Sequence, residues 1–248
     1  LMRHIEDLAR TASSRGIARY SGFLSDREQQ LAQAALNRTD MPEDEIRFDG
    51  GWPGAERKLL CLEPVDSYPA SPLCCVRLQC RALPGAQLPV HKDYLGSLMG
   101  LELRREALGD IVLPEDQLGV AYVFALEPAA ELICQELRQA GHTDLTAEMQ
   151  PLETLPAFPQ AERPRQTATV SSLRLDAVLA AMLRCSRGMA AELVTAGRVE
   201  INHLPAESVH APVYEDDVFT VRGKGRFQLT ALPGKSKKDR LIIEYFQY

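Results

Sequence analysis

Nowhere does this 248-residue chain hold an apolar stretch approaching the roughly 18–20 residues that span a bilayer. Its opening residues, Leu1-Met2-Arg3-His4-Ile5-Glu6, lack the apolar core of a signal peptide. A cytoplasmic protein with no membrane partner is therefore expected. Any C-x-x-C pair is missing too. Cys61, Cys74, Cys75, Cys80, Cys134 and Cys185 fall without a histidine at metal-ligand spacing. Adjacent Cys74 and Cys75 would point to opposite faces of a strand and could not chelate one ion together. The cysteines read as reduced packing residues, and neither metal nor cofactor is expected.

Net positive charge is absent as well, since the chain carries −6, which argues against nucleic acid until the chain is divided. Residues 1–160 carry 15 Lys+Arg and 24 Asp+Glu, or −9; residues 161–248 carry 13 and 10, or +3. The positive surplus thus sits at the C-terminal end, where its value depends on whether the charges share a face. With 45% apolar and 25% charged residues, the chain has the balance of a globular protein and not of a disordered one.

From Ile5 to about Arg38 the pattern is helical. Phe23-Leu24 leads into Ser25-Asp26-Arg27-Glu28, a capping box, and Leu31, Ala34 and Ala35 follow at helical spacing. From Ile46 onward strands and helices alternate. Lys58 to Leu62, Cys74 to Cys80, Asp110 to Leu113, Val120 to Leu126 and Leu145 to Leu152 read as strands. His91 to Met99 and a segment opened by Glu127-Pro128 read as helices, the second closed by Gly141. This β-β-α-β-β-α-β order suggests a ferredoxin-like sheet with helices on one face. Prolines 151, 156, 159 and 164 then mark a linker.

After the linker, Leu175, Val178, Leu179, Met182 and Leu183 form one apolar helical stripe. Ser186 suits the N-cap of a second helix carrying Ala190, Leu193 and Val194, and Gly197 suits the left-handed position beyond it. Val199-Glu200-Ile201 runs as a strand into a turn at Asn202-His203. Another strand spans Val218 to Val221, followed by Arg222-Gly223-Lys224-Gly225-Arg226, a glycine-rich turn whose backbone can approach a phosphate while its side chains supply charge. Arg187 starts the second helix, where free N–H groups and the helix dipole already favour an anion. A second basic cluster, Lys235-Ser236-Lys237-Lys238-Asp239-Arg240, precedes a last strand from Leu241 to Phe246.

This run, Leu173-Arg174-Leu175-Asp176, Ser186-Arg187, Ala190, Leu193-Val194, Gly197-Arg198-Val199, Ile201-Asn202, Asp217 and Gly223-Lys224-Gly225-Arg226, resembles the S4 RNA-binding module. The resemblance implies that Arg174, Ser186, Arg187 and Arg198 lie along one face of a helix hairpin that packs into structured RNA. Asp176 is expected to orient the module, because a carboxylate facing phosphate is repelled.

S4 modules accompany several enzymes, but the rest of the chain does not fit them. A pseudouridine synthase carries its catalytic domain after the module, and none is expected in the few residues that follow Gln228-Leu229 here. The nucleotide-binding histidine signature of tyrosyl-tRNA synthetases is missing. Gly50-Gly51-Trp52-Pro53-Gly54 lacks the parallel-strand context of a methyltransferase turn. Instead Gly50-Gly51 with Ala55-Glu56-Arg57-Lys58, Leu88 to Leu98, and Arg104-Arg105-Glu106-Ala107-Leu108-Gly109-Asp110-Ile111 are similar to the YlmH family, related to photosystem II S4 domain proteins. That resemblance covers nearly the whole chain. It implies an α+β architecture with an RRM-like middle domain, no catalytic activity, and association with the large ribosomal subunit in rescuing stalled chains with peptidyl-tRNA.

The expected organisation is a helical segment at 1–43, an RRM-like domain at 44–155, a linker at 156–169 and the S4 domain at 170–248. The expected RNA-binding residues are Arg174, Ser186, Arg187, Arg198, Arg222, Lys224 and Arg226 in the S4 domain, with Lys92, Arg57 and Lys58 in the middle domain. The family often has arginine where this chain has Lys92, which keeps the charge but loses the bidentate fork. Expected partners are structured rRNA, tRNA and the large subunit, with no DNA. Two readings compete: an RNA-modifying or RNA-cleaving enzyme built on His91, Asp93 and Asp110, and a protein adaptor using the acidic N-terminal half.

Overall fold

The computed structural model describes residues 1–81, 87–158, 164–202, 204–236 and 239–248. His203 of the expected turn, Lys237 and Lys238 of the basic cluster, and Pro159 of the linker lie outside the described residues. The chain divides into two compact units, Leu1–Gln160 and Ala161–Tyr248. Among the described residues, no helix is long and apolar enough to cross a membrane.

The first unit begins with α1 (Met2–Arg15), β1 (Arg19–Leu24) and α2 (Asp26–Leu36). Ile5, Ala9 and Ala12 give α1 one buried stripe, and left-handed Gly16 ends it. At Ser25 the capping box forms as expected, with the Ser25 backbone N–H donating to Glu28 Oε2 at 2.8 Å. Then follow β2 (Ile46–Asp49) and β3 (Lys58–Leu62), which pair with β1 in the order β1-β3-β2.

Two sequence expectations are corrected here. The N-terminal segment contains a strand, and β2 and β3 belong with it instead of with the middle sheet. The reason is double burial. Leu60 and Leu62 enter a core with Ile5, Ala9 and Leu36, whereas Leu59 and Cys61 face Phe23, Tyr122 and Phe124. A strand covered on both faces loses the alternation that would reveal its partners.

The middle sheet starts at β4 (Leu73–Cys80) and continues through α3 (His91–Met99), β5 (Leu108–Val112), β6 (Val120–Leu126), α4 (Glu127–Glu136), β7 (Gln139–Ala140) and β8 (Thr143–Gln150). Its order, β5-β6-β4-β8-β7, is antiparallel throughout and contains the βαββαβ ferredoxin-like pattern. Val76, Leu78, Ala121 and Val123 face the helices and pack with Tyr94, Leu98, Ala130 and Ile133. On the opposite face Leu73, Cys75, Tyr122 and Phe124 meet Phe23, Leu59, Trp52, Leu152, Leu155 and Phe158. Cys74 and Cys75 do point to opposite faces. Gly141 does not close α4; it makes the β7–β8 turn with φ +58°.

Phe158 alters the expected linker. Its ring meets Tyr122 edge-on at 5.0 Å and Trp52 at 5.6 Å, so residues up to 158 pack on the first unit. Gly51 shows how tight this face is: its φ is +85°, and a Cβ there would lie 2.6 Å from the Phe124 ring.

In the second unit β9 (Gln166–Val170) precedes α5 (Leu175–Met182) and α6 (Arg187–Thr195), then β10 (Val199–Ile201), β11 (Leu204–Pro205), β12 (Val218–Val221), β13 (Gly225–Lys235) and β14 (Leu241–Gln247). The sheet order is β11-β10-β12-β13-β14-β9. Leu175, Val178, Leu179, Ala190 and Leu193 bury the helix hairpin against Phe219, Phe227, Leu229, Ile243 and Tyr245. Ser186 caps α6 by accepting the Met189 N–H at 3.2 Å, and Gly197 takes φ +64° after it.

Candidate nucleic-acid interface

Arg174 is the N-cap residue of α5, Asp176 lies in that helix's first turn, and Arg187 opens α6. The hairpin therefore brings both guanidiniums to one carboxylate. Arg174 Nε donates to Asp176 Oδ1 at 3.1 Å, and Arg187 Nη2 donates to Oδ2 at 2.6 Å. The Asp176 side chain is 8% exposed, against 41% for Arg174 and 50% for Arg187. The carboxylate is thus beneath, and half-open guanidiniums face water above it.

Burial opposes ionisation of Asp176, but hydrogen bonds from Arg187 and Arg174 outweigh it and hold the carboxyl below its usual range. One negative charge against two positive ones leaves the cluster net cationic. Two planar forks held in fixed orientation suit phosphate oxygens. His210, which sequence reasoning did not single out, also hydrogen-bonds Arg174 through its ring.

Arg198 stands at the other end of α6, about 13 Å from its start by helical rise. Its Nη2 donates to the Arg222 carbonyl at 2.9 Å, which ties it to the β12–β13 turn. Gly223 adopts φ +80° there, and a Cβ would come 3.2 Å from Arg198 Nη2. Arg222 and Lys224 are exposed on this turn. The basic groups therefore form two foci, one at each end of α6.

Arg226 departs from the expected arrangement. Across β12 and β13, Phe219 pairs with Phe227 on the core side, while Thr220 pairs with Arg226 on the opposite side. Side-chain alternation sends Arg226 to the sheet face away from the hairpin, where it lies 4.3 Å over the Tyr248 ring.

In the first unit Lys92 is exposed on α3 and Lys58 is half-buried on β3. Arg57 is a brace. Its Nε donates to Leu108 O at 3.0 Å, and its Nη2 donates to Phe23 O at 2.9 Å and Arg105 O at 3.1 Å. Burial, then the like charge of Arg105, holds its pKa below the ordinary value. Asp110 accepts the Glu56 N–H at 2.7 Å and the Arg57 N–H at 3.2 Å; burial still pushes its carboxyl upward. The segments around Arg57 and Asp110 thus latch the N-terminal sheet to β5. Asp93 accepts the Val90 N–H at 2.9 Å at the start of α3, and His91 is exposed. The aromatic face of the middle sheet is covered by Phe23, Leu59 and Phe158.

Known proteins resemble this chain in sequence and in fold. The S4 domain family matches residues 173–219. The chain is 35% identical over 226 residues to the ribosome-associated protein quality control protein P2 of Bacillus subtilis (strain 168), covering 90% of this chain and 84% of that one. Among solved structures, the cell division protein ylmH from Streptococcus pneumoniae superposes with TM-score 0.48 at 12% identity, over 62% of this chain and 92% of that one. The chain belongs to the YlmH family, that of the Bacillus subtilis quality control protein, and carries its S4 domain at the C-terminal end.

Proposed function

We propose that this chain is a non-catalytic RNA-binding protein that associates with rRNA of the large ribosomal subunit and acts, with peptidyl-tRNA, in the rescue of stalled translation. The observation that carries this reading is the pair of half-open guanidiniums, Arg174 and Arg187, aligned over Asp176 at the mouth of the helix hairpin. The +3 surplus of residues 161–248 supports it, as does the name of the Bacillus relative, ribosome-associated protein quality control protein P2. The absence of catalysis is part of the proposal: Asp93 and Asp110, the carboxylates nearest to an acid/base pair in the sequence, hold backbone N–H groups.

The test is a salt titration of binding to purified large-subunit particles. Affinity should fall steeply and linearly on logarithmic axes as phosphate-bound counterions are released. Arg187→Ala should weaken binding and flatten the slope by about one. Salt-independent binding, or an Arg187→Ala protein with unchanged affinity, overturns the reading. Crosslinking on stalled particles should join the second unit to tRNA, and crosslinks to protein alone would remove that part.

A further inference from the structure

On the face of its sheet opposite the helix hairpin, the second unit gathers an arginine and two aromatic rings. Residues paired across antiparallel strands share a face. Phe219, Phe227, Leu229 and Tyr245 lie on the core side, so Arg226, Gln228, Phe246 and Tyr248 lie together on the other. Arg226 lies over the Tyr248 ring, and the Tyr248 N–H donates to Arg226 O at 2.9 Å. The Tyr248 hydroxyl donates to Gln228 Oε1 at 2.8 Å, and the Phe246 ring centroid is 5.1 Å from that of Tyr248 at a tilt of 57°. These contacts fix the tyrosine while it keeps 37% of its surface exposed.

We propose that this face stacks one unpaired nucleobase of the bound RNA on the Arg226–Tyr248 pair, with Phe246 alongside and Arg222 and Lys224 on the flanking phosphates. The proposal rests on the RNA-binding reading of the hairpin and adds a second, single-stranded contact to it. Charge selects this occupant. Arg222 and Lys224 lie in the β12–β13 turn that leads into Arg226, while Glu200, the acidic group in the Thr220–Arg226 row, is two strands away, about 10 Å. Glu244 faces Arg165 at 3.8 Å. Aromatic rings and guanidinium planes on a sheet stack any base, so the surface selects unpaired RNA without selecting its sequence.

The experiment uses the full chain and three RNA probes: a blunt hairpin, the same hairpin with a single-stranded overhang carrying 2-aminopurine, and that overhang alone. The overhang should raise hairpin affinity about tenfold, the scale of one base–aromatic stack, and should quench the 2-aminopurine. Tyr248→Ala should abolish the gain and the quench while binding the blunt hairpin like wild type. Tyr248→Phe, which keeps the ring and loses the Gln228 bond, should retain most of both. Arg187→Ala should weaken both hairpins equally and leave the overhang's gain intact, which separates failure of the hairpin reading from failure of this one. Equal wild-type affinity for both hairpins, a gain that survives Tyr248→Ala, or Tyr248 crosslinking to a protein instead of RNA each overturns the proposal.

Discussion

Arg187 grips Asp176 through a single oxygen, with Nε at 3.1 Å and Nη2 at 2.6 Å from Oδ2. Arg174 reaches the same oxygen at 3.2 Å and Oδ1 at 3.1 Å. A residue of α5 therefore sets the angle of an arginine on α6, and the two basic side chains are positioned as a unit.

Asp176→Asn separates alignment from charge. The substitution makes the surface more cationic yet removes charged acceptors from two guanidiniums. Stability of the second unit should fall by about 1.5–3 kcal/mol in urea unfolding, the scale of hydrogen bonds to a charged group. RNA affinity should fall as well, because the forks lose their orientation. An affinity that rises shows net charge to be the governing quantity.

Acid should act on the same carboxylate. The folded state holds the Asp176 pKa below its unfolded value, so ionised Asp176 stabilises the fold fully above the ordinary carboxylate range. That stabilisation disappears as pH falls through the lowered folded value. Wild type should lose more stability on acidification than Asp176→Asn, and parallel curves in chemical denaturation between neutral and acidic pH would contradict the assignment.

Arg57 braces the fold of the first unit, and we predict that it adds nothing to RNA affinity. Arg57→Ala leaves carbonyls of Phe23, Arg105 and Leu108 without this donor, at a cost of about 3 kcal/mol. Thermal unfolding should report the loss, while hairpin RNA affinity at a temperature where the protein stays folded should not change. A selective drop in affinity returns Arg57 to the RNA surface.

Phe158 secures the end of the first unit. Removing its edge contacts with Tyr122, Trp52 and Phe124 by Phe158→Ala should destabilise that unit by about 2 kcal/mol. Hydrogen exchange should quicken in β6 and leave α5 and α6 as in wild type.

The helix hairpin was legible in the sequence because its information is local. An apolar stripe at helical spacing, Ser186 as cap and Gly197 as stop each act within a few residues of themselves. The cationic surplus of the C-terminal end could be counted for the same reason. β1 escaped notice between two helices, and β3 gave no sign of its partners because it is buried on both sides.

Composition and spacing by themselves determined that a basic two-helix module follows an α+β first unit. Only tertiary structure decided which arginines work together. Arg174 and Arg187 meet through Asp176, Arg198 joins the turn at the far end of α6, and Arg226 crosses to the other sheet face. Those outcomes depend on strand register and helix packing, which place side chains distant in sequence on one surface or on opposite ones, and no local rule carries that information.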